Sequence, residues 1–131
     1  MTNYYKLKVG FQSDLVLHKV KTRNQLWQVK EMCTYYSGIT KESYAIPKNY
    51  FTDLATIPKV FQWLLPPDGE YAWECCLHDM LYDTVSKGFM DRKDADEVFN
   101  EAMKVGEVSK WKRVLIYRAV RMFGGFALKY Y

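Results

Sequence analysis

A chain of 131 residues holds one ordinary domain and is too short for two. Its 49% hydrophobic and 17% aromatic content supplies a filled core and excludes a disordered chain. A formal net charge of +4 permits an anionic partner without requiring one. No apolar run reaches transmembrane length, and the start lacks the apolar stretch of a signal peptide, so a soluble protein that is not exported is expected. The three cysteines, Cys33, Cys75 and Cys76, are an odd set with no C-x-x-C spacing, which fits reduced thiols better than a disulfide framework or a thiolate metal site.

Residues 1–50 read as mainly β. Tyr5 to Val9 alternates, Leu15 to Val20 is apolar and partly β-branched, and Leu26 to Lys30 alternates again, with turns at Gln12-Ser13-Asp14 and Thr22-Arg23-Asn24. Ser37-Gly38 ends this run, and Tyr44 to Pro47 adds an edge strand. From residue 55 to 125 the pattern is mainly helical. Thr56-Ile57-Pro58 opens a first helix through Leu65, stopped by Pro66-Pro67-Asp68-Gly69. A second spans about Glu70 to Ser86. A third runs from an Asp91 cap to about Val105, with Gly106 as its stop. A fourth, from Lys110 to Phe123, is closed by Gly124-Gly125. The expected fold is a single α+β domain, an N-terminal antiparallel β-meander packed on a C-terminal bundle of three to four helices.

The second helix carries the chemistry. It is apolar nearly all round and therefore buried, yet it contains His78 and Asp79, which cost several kcal/mol unless partnered. His78, Tyr82 and Cys75 share one side of it. Adjacent positions point about 100° apart, so Asp79 is poorly placed to orient His78. Asp96, at the edge of the third helix's apolar stripe, is the better partner: an acid there fixes the imidazole tautomer and raises its basicity. Asp79 and Asp83, one turn apart, repel unless a cation such as Ca²⁺ relieves them; Arg118 is the other candidate for Asp79. The competing reading is a satisfied buried network with no catalytic task.

The segments Phe51-Thr52-Asp53-Leu54-Ala55-Thr56-Ile57-Pro58, Leu77 to Tyr82 and Arg92 to Phe99 resemble a family of small phage and prophage proteins of unassigned function, over roughly residues 43–125. That likeness implies a phage origin and a place in the host cytoplasm or the virion. In addition, Cys75-Cys76-Leu77-His78-Asp79-Met80-Leu81-Tyr82 and Asp96-Glu97-Val98-Phe99 look like the two catalytic helices of secreted sn-2 phospholipases, especially the short bacterial type. This second likeness implies that His78 is the general base, Asp96 its orienting partner, Tyr82 a hydrogen-bond support and Asp79 a calcium ligand, with Asp53 and Leu54 brought to the same ion. Leu81 stands where that family has Cys, and its glycine-rich calcium loop is missing here. The function it implies is hydrolysis of a lipid or envelope ester at a phospholipid surface. The alternative is a non-enzymatic phage protein, a virion component or an inhibitor of a host protein, with the His-Asp helix as structural core.

Other chemistries have less behind them. A zinc peptidase needs His18 beside His78; a thiol nucleophile at Cys75 or Cys76 launches poorly from mid-helix. No phosphate-binding glycine motif occurs, and nothing points strongly to nucleic acid. On the fourth helix Lys110, Arg113, Tyr117 and Arg121 form a stripe, expected to face solvent and able to act as an anion surface. The opposite side, with Trp111, Leu115, Ala119 and Met122, is expected to face the core. Arg118, on that side, is expected to pair with Asp53 or an acid of the third helix.

Overall fold

The structure is a computed structural model that describes residues 7–20, 26–52 and 71–128. Six short strands come first: β1 (Gly10–Phe11), β2 (Leu17–Lys19), β3 (Trp27–Val29), β4 (Cys33–Tyr36), β5 (Ser43–Ile46) and β6 (Phe51–Thr52). Three helices follow, α1 (Ala72–Ser86), α2 (Arg92–Val105) and α3 (Lys110–Leu128). The fold is α+β, as expected. The first predicted helix and the stop after it lie outside the described residues, as do Tyr5 and Lys6 of the Tyr5–Val9 strand; its remaining residues, Leu7 to Val9, are not in a strand and lead into β1.

The strands do not form one continuous meander. They divide into two antiparallel three-stranded sheets, β1-β4-β5 and β2-β3-β6. Hairpins β2-β3 and β4-β5 join sequence neighbours, but each sheet is completed from a distance, by β1 against β4 and β6 against β3. Two-residue strands give no periodicity to read, and for that reason β6 escapes the alternation rule. Alternation is clear in β4: Cys33 and Tyr35 are buried while Thr34 and Tyr36 are half-buried.

Helix α1 is the centre of the molecule, with every residue from Glu74 to Tyr82 buried. Its apolar circumference is what allows this, since a helix without a polar face has no side to give to solvent. Phe11 meets the ring of Trp73 on one side and that of Tyr35 on the other, at 5.4 and 5.1 Å, both edge-on. That stack ties the first sheet to α1. Helix α2 is amphipathic and buries Ala95, Asp96, Val98, Phe99, Ala102 and Met103. Asp91 occupies its cap position, but the side chain makes no capping hydrogen bond. The first sheet is pinned to α2 through Glu101, which accepts from the Tyr35 hydroxyl at 2.9 Å and the Gly38 amide at 3.1 Å.

Two expectations for the last helix are corrected. It continues through Gly124 and Gly125 to Leu128, because Gly124 serves a close approach: a Cβ there would fall on the Tyr82 hydroxyl. The helix is also rotated relative to the expected orientation. Ile116, Ala119, Val120 and Gly124 are buried, whereas Trp111, Leu115, Arg118 and Met122 are exposed. Among the described residues no helix is long and apolar enough to cross a membrane.

Candidate functional site

Three helices converge on one carboxylate. Helix α1 contributes His78 and Tyr82, one turn apart and therefore on one side; α2 contributes Asp96 and Arg92; α3 contributes Arg121. Oδ1 of Asp96 lies 2.9 Å from Nε2 of His78 and accepts from the Tyr82 hydroxyl at 2.6 Å. Oδ2 accepts from Nη1 of Arg121 at 2.8 Å and, at 3.4 Å, from Nη1 of Arg92. Arg92 also donates to the Val120 and Arg121 carbonyls at 2.9 and 3.1 Å, fastening the start of α2 to the backbone of α3.

His78, Tyr82 and Asp96 are fully buried. The imidazole is stacked at 4.2 Å on Phe99, nearly parallel, and tilted at 4.2 Å against Tyr82, so its plane is held from two sides. With a carboxylate opposite Nε2, that nitrogen is the one that donates. Burial by itself opposes ionisation of Asp96, but hydrogen bonds from His78, Tyr82 and Arg121 outweigh it and hold the carboxyl below its ordinary range. The Tyr82 phenol is pushed up by burial and then by its bond to Asp96, which fixes it as a donor. Cys75 and Cys76 are likewise pushed up by burial; neither is a thiolate, and the nucleophile reading of either loses its footing.

Asp79 faces elsewhere. Its Oδ2 accepts from the Thr52 hydroxyl at 2.6 Å and the Tyr50 hydroxyl at 3.5 Å, so strand β6 is the element that receives it. Asp83, expected to share a cation with Asp79, pairs with Lys87 at 3.2 Å one turn on. Asp53 and Leu54 lie outside the described residues. Among the described residues no three His, Cys, Asp or Glu side chains gather into a metal-holding group. The described donors therefore do not make up a hard-cation cage, which needs several oxygens around one point. His18 is exposed on β2 opposite Gln28, while His78 is fully buried, so a joint zinc site has no geometry.

The anion stripe is corrected in part. Lys110 is exposed. Arg113 is half-buried and donates through Nε to the Val108 carbonyl at 3.1 Å, and Arg121 turns inward to Asp96. Arg118, expected in the core, is exposed. The physical reason is the buried carboxylate: it requires cationic donors, and a helix that supplies Arg121 must turn the Trp111–Met122 side outward. Arg92 was missed altogether, although its place four residues before Asp96 is a signal a sequence can show.

No curated protein and no solved structure matches the chain. A family described as a protein of unknown function (DUF1353) matches residues 27–120, a span that includes His78, Tyr82, Arg92 and Asp96, and the chain belongs to that family.

Proposed function

We propose that this chain is a hydrolase of phospholipase type, encoded by a phage, in which His78 is the general base and Asp96 orients it. The observation that carries this reading is the pair of bonds on Asp96 Oδ1, from His78 at 2.9 Å and Tyr82 at 2.6 Å. A carboxylate fixed by its neighbours and aligned with one imidazole nitrogen sets the tautomer, and the opposite nitrogen is then able to take a proton from water as it attacks an ester carbonyl. Tyr82 occupies a lone pair of the same oxygen and limits how far the carboxylate can swing. The substrate class is an ester of a lipid or of the cell envelope. Calcium belongs to the proposal as a ligand of Asp79 and of the Asp53–Leu54 segment, and no step is assigned to it. A thermal-shift titration with millimolar Ca²⁺ checks that part, because an ion bound by the folded state raises its stability.

Full burial of His78 and the two arginines on Asp96 favour a second reading: a structural ionic knot in a non-enzymatic phage protein that acts on a host or virion protein. The deciding experiment is hydrolysis of phospholipid vesicles and of a soluble ester by wild type and by His78→Gln, with both proteins shown to be folded. A wild-type rate above the variant's supports the hydrolase. Equal background rates in both sink it and leave the knot.

A further inference from the structure

Helix α3 presents to solvent a face of a kind that monomeric proteins normally bury. Trp111, Leu115 and Met122 are 55, 40 and 70% exposed. At 100° per residue they and Arg118 fall within about 60° of one another, so they make one stripe, with Val114 beside it, also exposed. The charge within the helix and the chain after it is of one sign. From residue 109 to 131 the chain has Lys110, Lys112, Arg113, Arg118, Arg121 and Lys129 and no Asp or Glu. The other 13 basic and 15 acidic residues leave −2, so the whole positive excess of the molecule belongs to this segment.

We propose that the outer face of α3 docks on the surface of an anionic phospholipid bilayer, lying in its plane. Trp111, Leu115 and Met122 would enter the boundary between head groups and acyl chains, while Lys110, Lys112 and Arg118 meet the phosphates. An amphipathic helix with Trp and Leu on one side and only cations among its own charged residues has the composition of an interfacial helix, and an anionic leaflet attracts each nearby Lys or Arg. Lys112 already lies along this side, its Nζ 5.7 Å from the centre of the Trp111 ring, and long basic side chains extend from such positions to the head groups.

The alternatives fit less well. A second copy seated on the same face would set cations against cations, Arg118 near Arg118, which costs affinity. A nucleic acid offers phosphates but no apolar environment for Leu115 and Met122. Docking stands apart from hydrolysis and does not need His78.

The test is co-sedimentation of the full chain with vesicles of ether-linked lipids, which contain no acyl ester to cleave. Phosphatidylcholine alone is compared with a mixture containing phosphatidylglycerol. Wild type is expected to bind the anionic vesicles on the order of tenfold more strongly, and Leu115→Ser/Met122→Ser to lose on the order of tenfold or more of that binding. Arg118→Glu, at an exposed position, is the second variant should the double variant unfold, and is expected to weaken binding in the same direction. Equal binding to both vesicle types, equal binding by the variants, or no binding by wild type would overturn the proposal. So would a wild-type dimer that the double variant converts to monomer, since the face would then be a contact between copies.

Discussion

Replacing Gly124 by Ala sets two effects of opposite sign against each other, and the structure decides which wins. In a helix interior Ala is favoured over Gly by roughly 0.5–1 kcal/mol, through the smaller backbone entropy lost on folding. Gly125 measures that gain undisturbed, because an added Cβ meets nothing within 4 Å there. At Gly124 the same atom falls on the Tyr82 hydroxyl and lies 3.0 Å from Nη1 of Arg92. The ring has to move, and its bond to Asp96 goes with it. A hydrogen bond to a charged group contributes about 1.5–3 kcal/mol, and overfilling a packed interior costs about 1–3 kcal/mol more. Gly125→Ala should therefore stabilise by about 0.5–1 kcal/mol, whereas Gly124→Ala should destabilise by about 1.5–5.5 kcal/mol once the propensity gain is subtracted. Urea unfolding monitored by circular dichroism and by tryptophan fluorescence gives both values. Tyr82→Phe removes the oxygen with which the new methyl collides, so in that background Gly124→Ala should cost much less. If Gly124→Ala proves as stabilising as Gly125→Ala, the approach of α3 to Tyr82 is wrong.

Asp96→Asn leaves Arg92, Arg121 and His78 facing a neutral amide and should cost about 3–5 kcal/mol at neutral pH, in the range found when one partner of a buried pair is removed. The pH dependence has a definite sign. The folded Asp96 carboxyl is held below its ordinary value, so its contribution is complete above the unfolded value, near 3.8, and is lost as pH falls from there through the folded value. A urea-midpoint profile below pH 5 should thus be flatter for Asp96→Asn than for wild type; equal slopes would refute the assignment. Arg121→Met should destabilise by about 2–4 kcal/mol while Arg118→Met stays within about 0.5 kcal/mol, the reverse of the ranking expected from the sequence. Finally, Cys75 and Cys76 should resist a thiol reagent such as dithionitrobenzoate in the native state and react once urea unfolds the chain. Rapid labelling of either in the native state would contradict their burial.

The pairing of His78 with Asp96 was legible because a buried helix cannot leave an imidazole unsatisfied, and α2 has one acid on the margin of its apolar stripe. The limits of α1 and α2 were legible from Lys87-Gly88 and Gly106, where the pattern breaks. Sheet topology was not. Strands of two to four residues are completed by partners far along the chain, as when Gly10 is set opposite Tyr36, and no local pattern encodes that. The rotation of α3 was misread for a different reason. Periodicity identifies two faces of a helix without saying which one is inside, and the usual rule assigns the apolar one. Here the inward side needed only Ile116, Val120, the small residues Ala119 and Gly124, and one cation for Asp96.

Charge balance separates what Asp96 needs from what it has. Two guanidinium groups reach Oδ2, at 2.8 and 3.4 Å, and His78 and Tyr82 complete the donor set on Oδ1, at 2.9 and 2.6 Å. A purely structural knot needs at position 78 a flat ring that stacks on Phe99 and donates to Oδ1, and has no use for a base. His78→Gln keeps an amide donor at that position and removes the base, and so separates the two roles. If the knot is only structural, that variant should lose no activity measured in the ester assay. If His78 is a general base, the hydrolytic rate should fall to background while the midpoint holds. A wild-type rate in the folded variant would refute the general base.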